Sequence, residues 1–583
     1  MMMLRKHTTA LLLYGVVVIV MTWPLVTNPF GMHLTRQFDI YATIWLAALA
    51  PDLALNLHTD MAGWPVGLTL NRIDSWIFFV VAKALGPIDD GRIALAFVTL
   101  LGPVLSAWAA ERFAANCLRI ARPWSLVAGL IFGFSGVALT ALLEGHVYLL
   151  FNPWLPLMAW AIWRGTEADA RWTHGLAAGV MWFCCLATSA YVGIAATFIG
   201  VGLLVRGVWM KRVHWPAAGT AAAISALSGG LYVRLFLKSG AAERVDTVTA
   251  MPNEIVMGMG SATAASLMGW IPYMDQHRHS ISPILGATLI ALIVFAPVVL
   301  RRETGWRTLY GLGLVAIILS FGPKLQLVTN QIAVPWVMWP FHDLPGVSFF
   351  RFPYRLLMVA ALCMGAVAAL VMARLAQRTP RASIVLILCI ILDIVLLSGA
   401  TRRTAHVPMD TPTIYAAAPT DRAILEIYPR FSGSNLDWEL YINDLCCSYQ
   451  REHQRPLLNL CVETAIHQGP RWVVANWLIN AALDATPAEP TTEAAPKQQN
   501  AVATLSELGI GAVVVHPDLF NTEHRTPLLD WLSNTLGPPT ATDTQNGEFV
   551  VLYSVPDLTP DHPRAAKQVK ANETYAALAA IYK

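Results

Sequence analysis

Eleven apolar runs, each closed by charge or proline, fill most of the first 400 residues and restrict the chain to one kind of fold. They lie near 10–27, 92–115, 124–143, 147–163, 173–188, 190–205, 215–236, 283–300, 308–324, 356–373 and 383–399. A helix needs roughly 17 to 25 residues to cross a bilayer, and in hydrocarbon only elements that satisfy their own backbone hydrogen bonds are stable. The runs therefore predict an α-helical polytopic membrane protein of about 11 spans. The pair between Trp172 and Arg206, broken at Thr188-Ser189-Ala190-Tyr191, is expected to be short or partly re-entrant. Composition agrees: of 583 residues, 56% are hydrophobic and 13% charged, where about 25% charged is usual for soluble domains. The net charge of +3 is spread without a basic tract, so nothing points to nucleic acid as a partner.

Arg5 and Lys6 precede the apolar run from Ala10 to Val26. No small-x-small cleavage site lies before Asn28 and more spans follow, so this run reads as a retained first helix rather than a signal peptide. The basic residues Arg119, Arg122, Arg164, Arg171, Arg206, Lys211, Arg212, Arg301, Arg302, Arg307, Arg374, Arg378 and Arg381 all fall in short links on one side. Positive charge concentrates in cytoplasmic links, which predicts a cytoplasmic N-terminus and an exoplasmic C-terminal part. The assignment requires that Ile73–Leu85, interrupted by Asp74 and Lys83, does not cross; at about thirteen residues it reads as interfacial or re-entrant.

Three segments then face outside, Asn28–Gly91, Lys238–Ser282 and Leu325–Arg355, together with the tight link Glu144-Gly145-His146. The expected organisation is a transmembrane domain over 1–400 with a long first exoplasmic loop, 28–91, and a soluble exoplasmic α/β domain over 401–583. In that second part, β-rich runs at Ala423–Tyr428, Ile510–His516 and Phe549–Val555 alternate with helical stretches at Thr504–Leu508 and Arg525–Leu536. Asp484–Asn500, rich in Pro, Ala, Thr and Glu, reads as a flexible loop. Cys117, Cys184, Cys185, Cys363 and Cys389 lie in or beside apolar runs, where small-residue packing is the default. Cys446 or Cys447 could pair with Cys461 if that part is exported; no cysteine spacing reads as a zinc site.

Candidate chemistry gathers on the exoplasmic side. Asp39 lies just beyond the first span, where a carboxylate can reach a headgroup without entering hydrocarbon; it suits a general base and equally an N-cap for a helix from Ile40. Trp45, like Tyr41, suits the headgroup level. Asp52, Asp60 and Asp74 read as capping or solvated, and Asp89-Asp90 as a turn. Glu144 and His146 flank a glycine close to the membrane, able to bind a cation, orient a substrate or share a proton, or simply to end a helix among headgroups. In Phe349-Phe350-Arg351-Phe352-Pro353-Tyr354-Arg355 the arginines offer planar donor forks suited to phosphate, whether a substrate's or an ordinary lipid's. Tyr354 and its aromatic neighbours can anchor at the interface and stack on a sugar or isoprenoid.

The aspartate after the first span, the long first exoplasmic loop, the short cytoplasmic links and the C-terminal domain together resemble the GT-C superfamily of polyprenol-linked glycosyltransferases, in particular a broad set of bacterial polytopic members. The local matches are Asp39 to Trp45, Trp64-Pro65-Val66-Gly67, Glu144-Gly145-His146 with Trp154-Leu155-Pro156-Leu157, Arg351 to Arg355, and Ser448 to Pro456, which includes His453. The resemblance implies an inverting membrane glycosyltransferase of the bacterial inner membrane. Its donor would be a polyprenyl-phosphate-linked sugar, its surroundings membrane lipids and its acceptor exoplasmic. The family's catalytic acid would map to Asp39, with Arg351 or Arg355 meeting the departing phosphate and Glu144 or His146 positioning one partner. The role of His453 is not defined by the resemblance. The first loop lacks a clear Asp-x-Asp motif, so the resemblance leaves a divalent cation, Mg or Mn, open. The rival readings are a lipid or oligosaccharide transporter and an envelope-assembly scaffold. A transporter should carry ionisable residues inside its spans; here Asp393 is the clear case and the best candidates sit at exoplasmic ends, which favours an enzyme.

Overall fold

The computed structural model describes residues 2–23, 25–30, 32–33, 38–50, 58–59, 68–69, 75–85, 91–143, 145–238, 286–303, 305–326, 333–341, 353–403, 407–408, 413–419, 421–428, 450, 455–458, 474–475, 477–478, 494–520, 522–545, 548–558 and 564–582. Its helices are α1 Met2–Met21, α2 Phe38–Leu49, α3 Trp76–Leu85, α4 Arg92–Cys117, α5 Ser125–Gly133, α6 Gly136–Leu143, α7 Trp154–Arg164, α8 Trp172–Thr188, α9 Ala190–Trp209, α10 Trp215–Lys238, α11 Ala287–Val299, α12 Trp306–Ser320, α13 Leu357–Arg378, α14 Pro380–Arg403, α15 Ala494–Glu507, α16 Thr522–Leu536 and α17 Arg564–Tyr582. Strands are β1 Met32–His33, β2 His58–Thr59, β3 Leu68–Thr69, β4 Lys324–Gln326, β5 Ala333–Pro335, β6 Val407–Pro408, β7 Ala423–Ile427, β8 Ile510–Val515, β9 Ala541–Gln545 and β10 Glu548–Ser554. The chain divides into two compact units: residues 1–36, 72–85 and 92–408 form one, and residues 37–71, 86–91 and 409–583 the other.

Every predicted apolar run coincides with helix in the first unit, but the elements differ in detail. Among the described residues, four helical stretches are both long and apolar enough to cross a membrane: Arg92–Cys117, Ser125–Leu142, Ala190–Trp209 and Pro353–Arg378. The third run is interrupted between α5 and α6, where the Ser135 hydroxyl accepts the Ala138 N–H and starts a new helix. The fourth is only eleven residues of helix, α7, because Val147–Leu150 forms a 3-10 turn and Pro153 follows it. The break at Ser189 is extended backbone between two helices, with the Ser189 oxygen accepting from Tyr191 N–H. Ile73–Leu85 yields the ten-residue α3, packed on α4 and α8.

At the centre stands α13. From Leu357 to Met372 it is buried on every face, as a helix apolar all round must be, and it packs against α4, α5, α9, α11, α12 and α14. Close approach elsewhere depends on small residues four apart. Gly129 and Gly133 on α5 meet the Ala107 and Pro103 carbonyls of α4, which would lie 2.6 and 2.7 Å from an added Cβ. Gly175 and Gly179 of α8 do the same against Ala217 and Ile224 of α10. Gly129→Ala is expected to destabilise the fold by about 1–3 kcal/mol, because the fully buried Tyr14 ring also closes over that glycine. Thermal unfolding in detergent checks this, and an unchanged midpoint rules out a tight α4–α5 seam.

Asp393, the ionisable residue expected inside a span, accepts the Thr288 N–H at 2.9 Å. It caps α11, whose own N-cap position is Gly286 at φ 89 with no side chain to offer. A second one, Glu111 on α4, is 1% exposed and bonded to Arg122 Nε at 2.5 Å. Both are accounted for by packing and pairing.

The basic links meet at one end of this unit. Arg206 lies over the Trp163 ring at 3.8 Å and donates to Thr166. His214 N–H bonds the Gly165 carbonyl, Gly305 faces Leu118 and Trp163, and Arg374 pairs with Glu303 at 2.7 Å. This physical clustering is what the charge pattern anticipates.

In the second unit a four-stranded sheet has the order β7-β8-β10-β9, parallel between β7 and β8 and antiparallel elsewhere. Helices α15, α16 and α17 pack with it around Leu425, Val513, Leu532 and Tyr553. The stretch expected as loop over Asp484–Asn500 is helical from Ala494; its Ala, Gln and Lys are strong helix formers. Cys117, Cys184, Cys185, Cys363 and Cys389 are free thiols, whereas Cys446, Cys447 and Cys461 lie outside the described residues.

Candidate functional site

Arg355 sits in the 3-10 turn Pro353–Leu356 that leads directly into α13. Since α13 is locked on all sides, the turn above it is fixed in place, and the Arg355 side chain is only 3% exposed. Its guanidinium carbon lies 4.3 Å from the centroid of the Tyr191 ring and 5.9 Å from that of Tyr354. One terminal nitrogen is 3.5 Å from His146 Nε2. His146 in turn packs edge-on against Tyr148. Sequence positions 146, 191 and 355 are thus gathered around one buried cation.

Each partner is delivered by a local cause. The Ser189 cap starts α9 so that Tyr191 falls in its first turn. The 145–152 link is pressed onto α4, where Gly102 leaves room for the Leu150 carbonyl. Ser106 Oγ donates to that carbonyl and accepts the Asn152 N–H, both at 3.0 Å. A cavity of about 40 Å³ follows, bordered by Ser106, Ser135, Asn152, Tyr354, Arg355 and Met358. Its walls are mostly apolar, with Phe132, Val137, Ala141 and Leu149 completing them, and the polar groups of Ser106, Ser135, Asn152 and Arg355 are set into that lining.

These residues lie at the end of the unit opposite the basic links. Tyr191 and Arg206 stand fifteen residues apart on α9, about 22 Å at 1.5 Å per residue. A buried cation held between an aromatic face and an imidazole is chemically suited to bind an oxyanion.

The second unit holds α2, which carries Asp39 in its first turn. Trp45 on this helix is buried, and its indole N–H donates to Gln450 Oε1 at 2.7 Å. Gln450 Nε2 donates to the Arg455 carbonyl at 2.6 Å, and the Arg455 guanidinium bonds the Pro419 and Ala418 carbonyls at 2.7 and 2.6 Å. Burial pushes the Arg455 guanidinium down from its ordinary value, though not to the point of deprotonation. Pro456 and Leu457 then run beside β7. Gln450 and Arg455 therefore tie α2 to the sheet through Trp45, a residue expected at the headgroup level. Gln450→Leu is expected to cost about 1–3 kcal/mol by leaving a buried indole N–H without an acceptor. Thermal unfolding of the full chain measures it, and no shift means the bond is inconsequential.

Of the other expected site residues, the side chain of Asp39 and all of Glu144, Arg351 and His453 lie outside the described residues, as do Asp52, Asp60, Asp74, Asp89 and Asp90. Tyr191, Ser106, Asn152 and Gln450 were not singled out by sequence reasoning. The available signal for Tyr191 was an aromatic two residues after a helix-breaking serine. Among the described residues no three His, Cys, Asp or Glu side chains gather as a metal site would require.

Three solved structures align with the chain, and the first of them carries the likeness of fold. One is the arabinofuranosyltransferase AftD from Mycobacteria, with a TM-score of 0.55 and 16% identity over 95% of this chain and 40% of that one. Another is the oligosaccharyltransferase AglB from Archaeoglobus fulgidus in complex with an inhibitory peptide and a dolichol-phosphate, at 0.47 and 10% over 90% of this chain and 71% of that one. The third is ArnT from Cupriavidus metallidurans bound to undecaprenyl phosphate, at 0.42 and 12% over 95% and 99% respectively. At these identities the likeness is one of fold, and the chain spans two fifths of the length of AftD. No sequence family and no curated protein matches the chain.

Proposed function

We propose that this chain is a membrane glycosyltransferase of the bacterial inner membrane, transferring a sugar from a polyprenyl-phosphate carrier to an exoplasmic acceptor with inversion. The observation that carries the reading is the buried Arg355 stacked on Tyr191 beside His146, at the end of the helical unit opposite the basic links. The positive-inside tendency assigns that end to the exoplasmic face, with the N-terminus cytoplasmic and the sheet-bearing unit outside. The AftD-like fold supports a chemistry of this class, while fold alone does not set function.

In the proposed step the acceptor hydroxyl attacks the anomeric carbon while Asp39 takes its proton. The bond from that carbon to the phosphate oxygen breaks and its electron pair leaves with the phosphate, whose charge Arg355 meets, with Arg351 as a second candidate. His146 and Glu144 position one partner, Tyr354 offers an aromatic surface, and His453 is a further candidate for contacting the substrate. The test is to reconstitute the full chain in vesicles with a panel of synthetic polyprenyl-phosphate sugars and follow release of polyprenyl phosphate together with a glycosylated acceptor. Turnover of at least one donor is expected. Release from none of them, with a protein that still binds polyprenyl phosphate, overturns the transferase reading.

A further inference from the structure

A second cavity in the helical unit, about 270 Å³, does not include Arg355 in its walls. It runs between α9 and α10, with α7 and α8 beneath, and its walls include Gly200, Val201 and Leu204 on one side and Ala218, Ala222 and Ser225 on the other. Small residues on α10 create it: Gly175 and Gly179 draw α8 tightly onto α10, and the alanines that face α9 are too short to fill the remaining space. Ala218 to Ser225 covers seven residue steps, roughly 10 Å of helix.

The lining is almost wholly hydrocarbon, and its polar members are internally bonded. Thr197 accepts from Trp182 and donates to the Gly193 carbonyl. Apolar cavities of such size stay dry and take up hydrocarbon. The rim at one end carries three exposed tryptophans, Trp172 at 56%, Trp209 at 88% and Trp215 at 68%. Exposed indoles at helix ends mark the membrane–water interface, so the groove beneath them faces lipid tails.

The same rim is basic. Between 164 and 214 it holds Arg164, Arg171, Arg206, Lys211 and Arg212 against Glu167 and Asp169. Both carboxylates are taken by Arg164, and its bond holds Asp169 below the usual carboxylate range. Among the described residues no carboxylate pairs with Arg171, Lys211 or Arg212, and all three are exposed. Basic clusters where transmembrane helices leave the bilayer recognise anionic headgroups.

We propose that the α9–α10 groove holds one acyl chain of an anionic phospholipid, with the headgroup against Lys211, Arg212 and Arg171. This is a lipid site at the end opposite Arg355, and it does not depend on the sugar-transfer reading. The membrane would thereby clamp α9, whose far end presents Tyr191.

The full-length protein in mild detergent, exchanged against equal amounts of phosphatidylglycerol and phosphatidylcholine, is weighed by native mass spectrometry. One retained phosphatidylglycerol per chain is expected, with phosphatidylcholine displaced. Val201→Trp and Ala222→Trp, both at exposed groove positions, should each lower retention at least tenfold. The double variant Lys211→Gln, Arg212→Gln lies in an exposed link. It should lose anionic preference about thirtyfold, each charge being worth roughly fivefold. Equal retention of both lipids, or retention unchanged by the tryptophan variants, overturns the proposal. So does an anionic preference that the double charge variant leaves unchanged.

Discussion

Replacing Arg355 with alanine is expected to lower sugar transfer by about two to three orders of magnitude, the usual cost of removing one preorganised donor from a developing oxyanion. The side chain is buried at the head of a helix that is itself enclosed, so it has no freedom to be replaced by a neighbour, and water in a 40 Å³ cavity carries no formal charge. The planar guanidinium matters as well as the charge. Arg355→Lys should recover only part of the loss, since an ammonium neither stacks on Tyr191 as a plane nor offers a fork to phosphate. Tyr191→Phe, which keeps the ring face, should stay within a few-fold of the parent, while Tyr191→Ala should not. The measurement is kcat/KM with a polyprenyl-phosphate donor, alongside polyprenyl-phosphate binding. Full activity in Arg355→Ala removes this residue from the reaction. Equal damage from Tyr191→Phe and Tyr191→Ala would assign the effect to the hydroxyl instead of the ring.

The second large effect is expected at Asp39. General-base catalysis contributes about 10²–10⁴-fold, and Asp39→Asn keeps size and hydrogen-bonding reach while removing the proton-accepting charge. The variant should therefore fold, should retain polyprenyl-phosphate binding, and should lose kcat. Asp39→Glu should fall between the parent and Asp39→Asn. If Asp39→Asn turns over at the parental rate, the carboxylate acts only as the cap of α2, the alternative its first-turn position allows.

Much of the helical framework is legible in the sequence because hydrocarbon leaves few options. Each apolar run is helical over most of its length, and several of the basic links lie together at one end of the unit. What could not be read depends on contacts distant in sequence. Nothing local says that Tyr191 stacks on Arg355, or that Trp45 bonds Gln450 across 405 positions. The two glycine pairs, Gly129 with Gly133 and Gly175 with Gly179, are visible as spacings, yet which helix each faces is decided only by packing. The α5–α6 break was hidden because Phe134 and Ser135 interrupt hydropathy too little to register. Helix α17 went unanticipated because its alternation of Ala with Lys, Gln and Glu carries no apolar stripe strong enough to stand out from a linker.

One small element has a bearing on how the protein is made. Strands β1 and β6 pair Met32 with Pro408 and His33 with Val407, and α1 packs along α14 as well as α4. Helix α1 thus finds part of its final seat only when α14 has been inserted, more than 370 residues later. At roughly 5–20 residues per second of synthesis, α1 waits tens of seconds with one flank exposed to lipid. Until α14 is inserted, the flank of α1 that it covers is a gap in the bundle. A chain truncated before α14 would present that gap to membrane quality control.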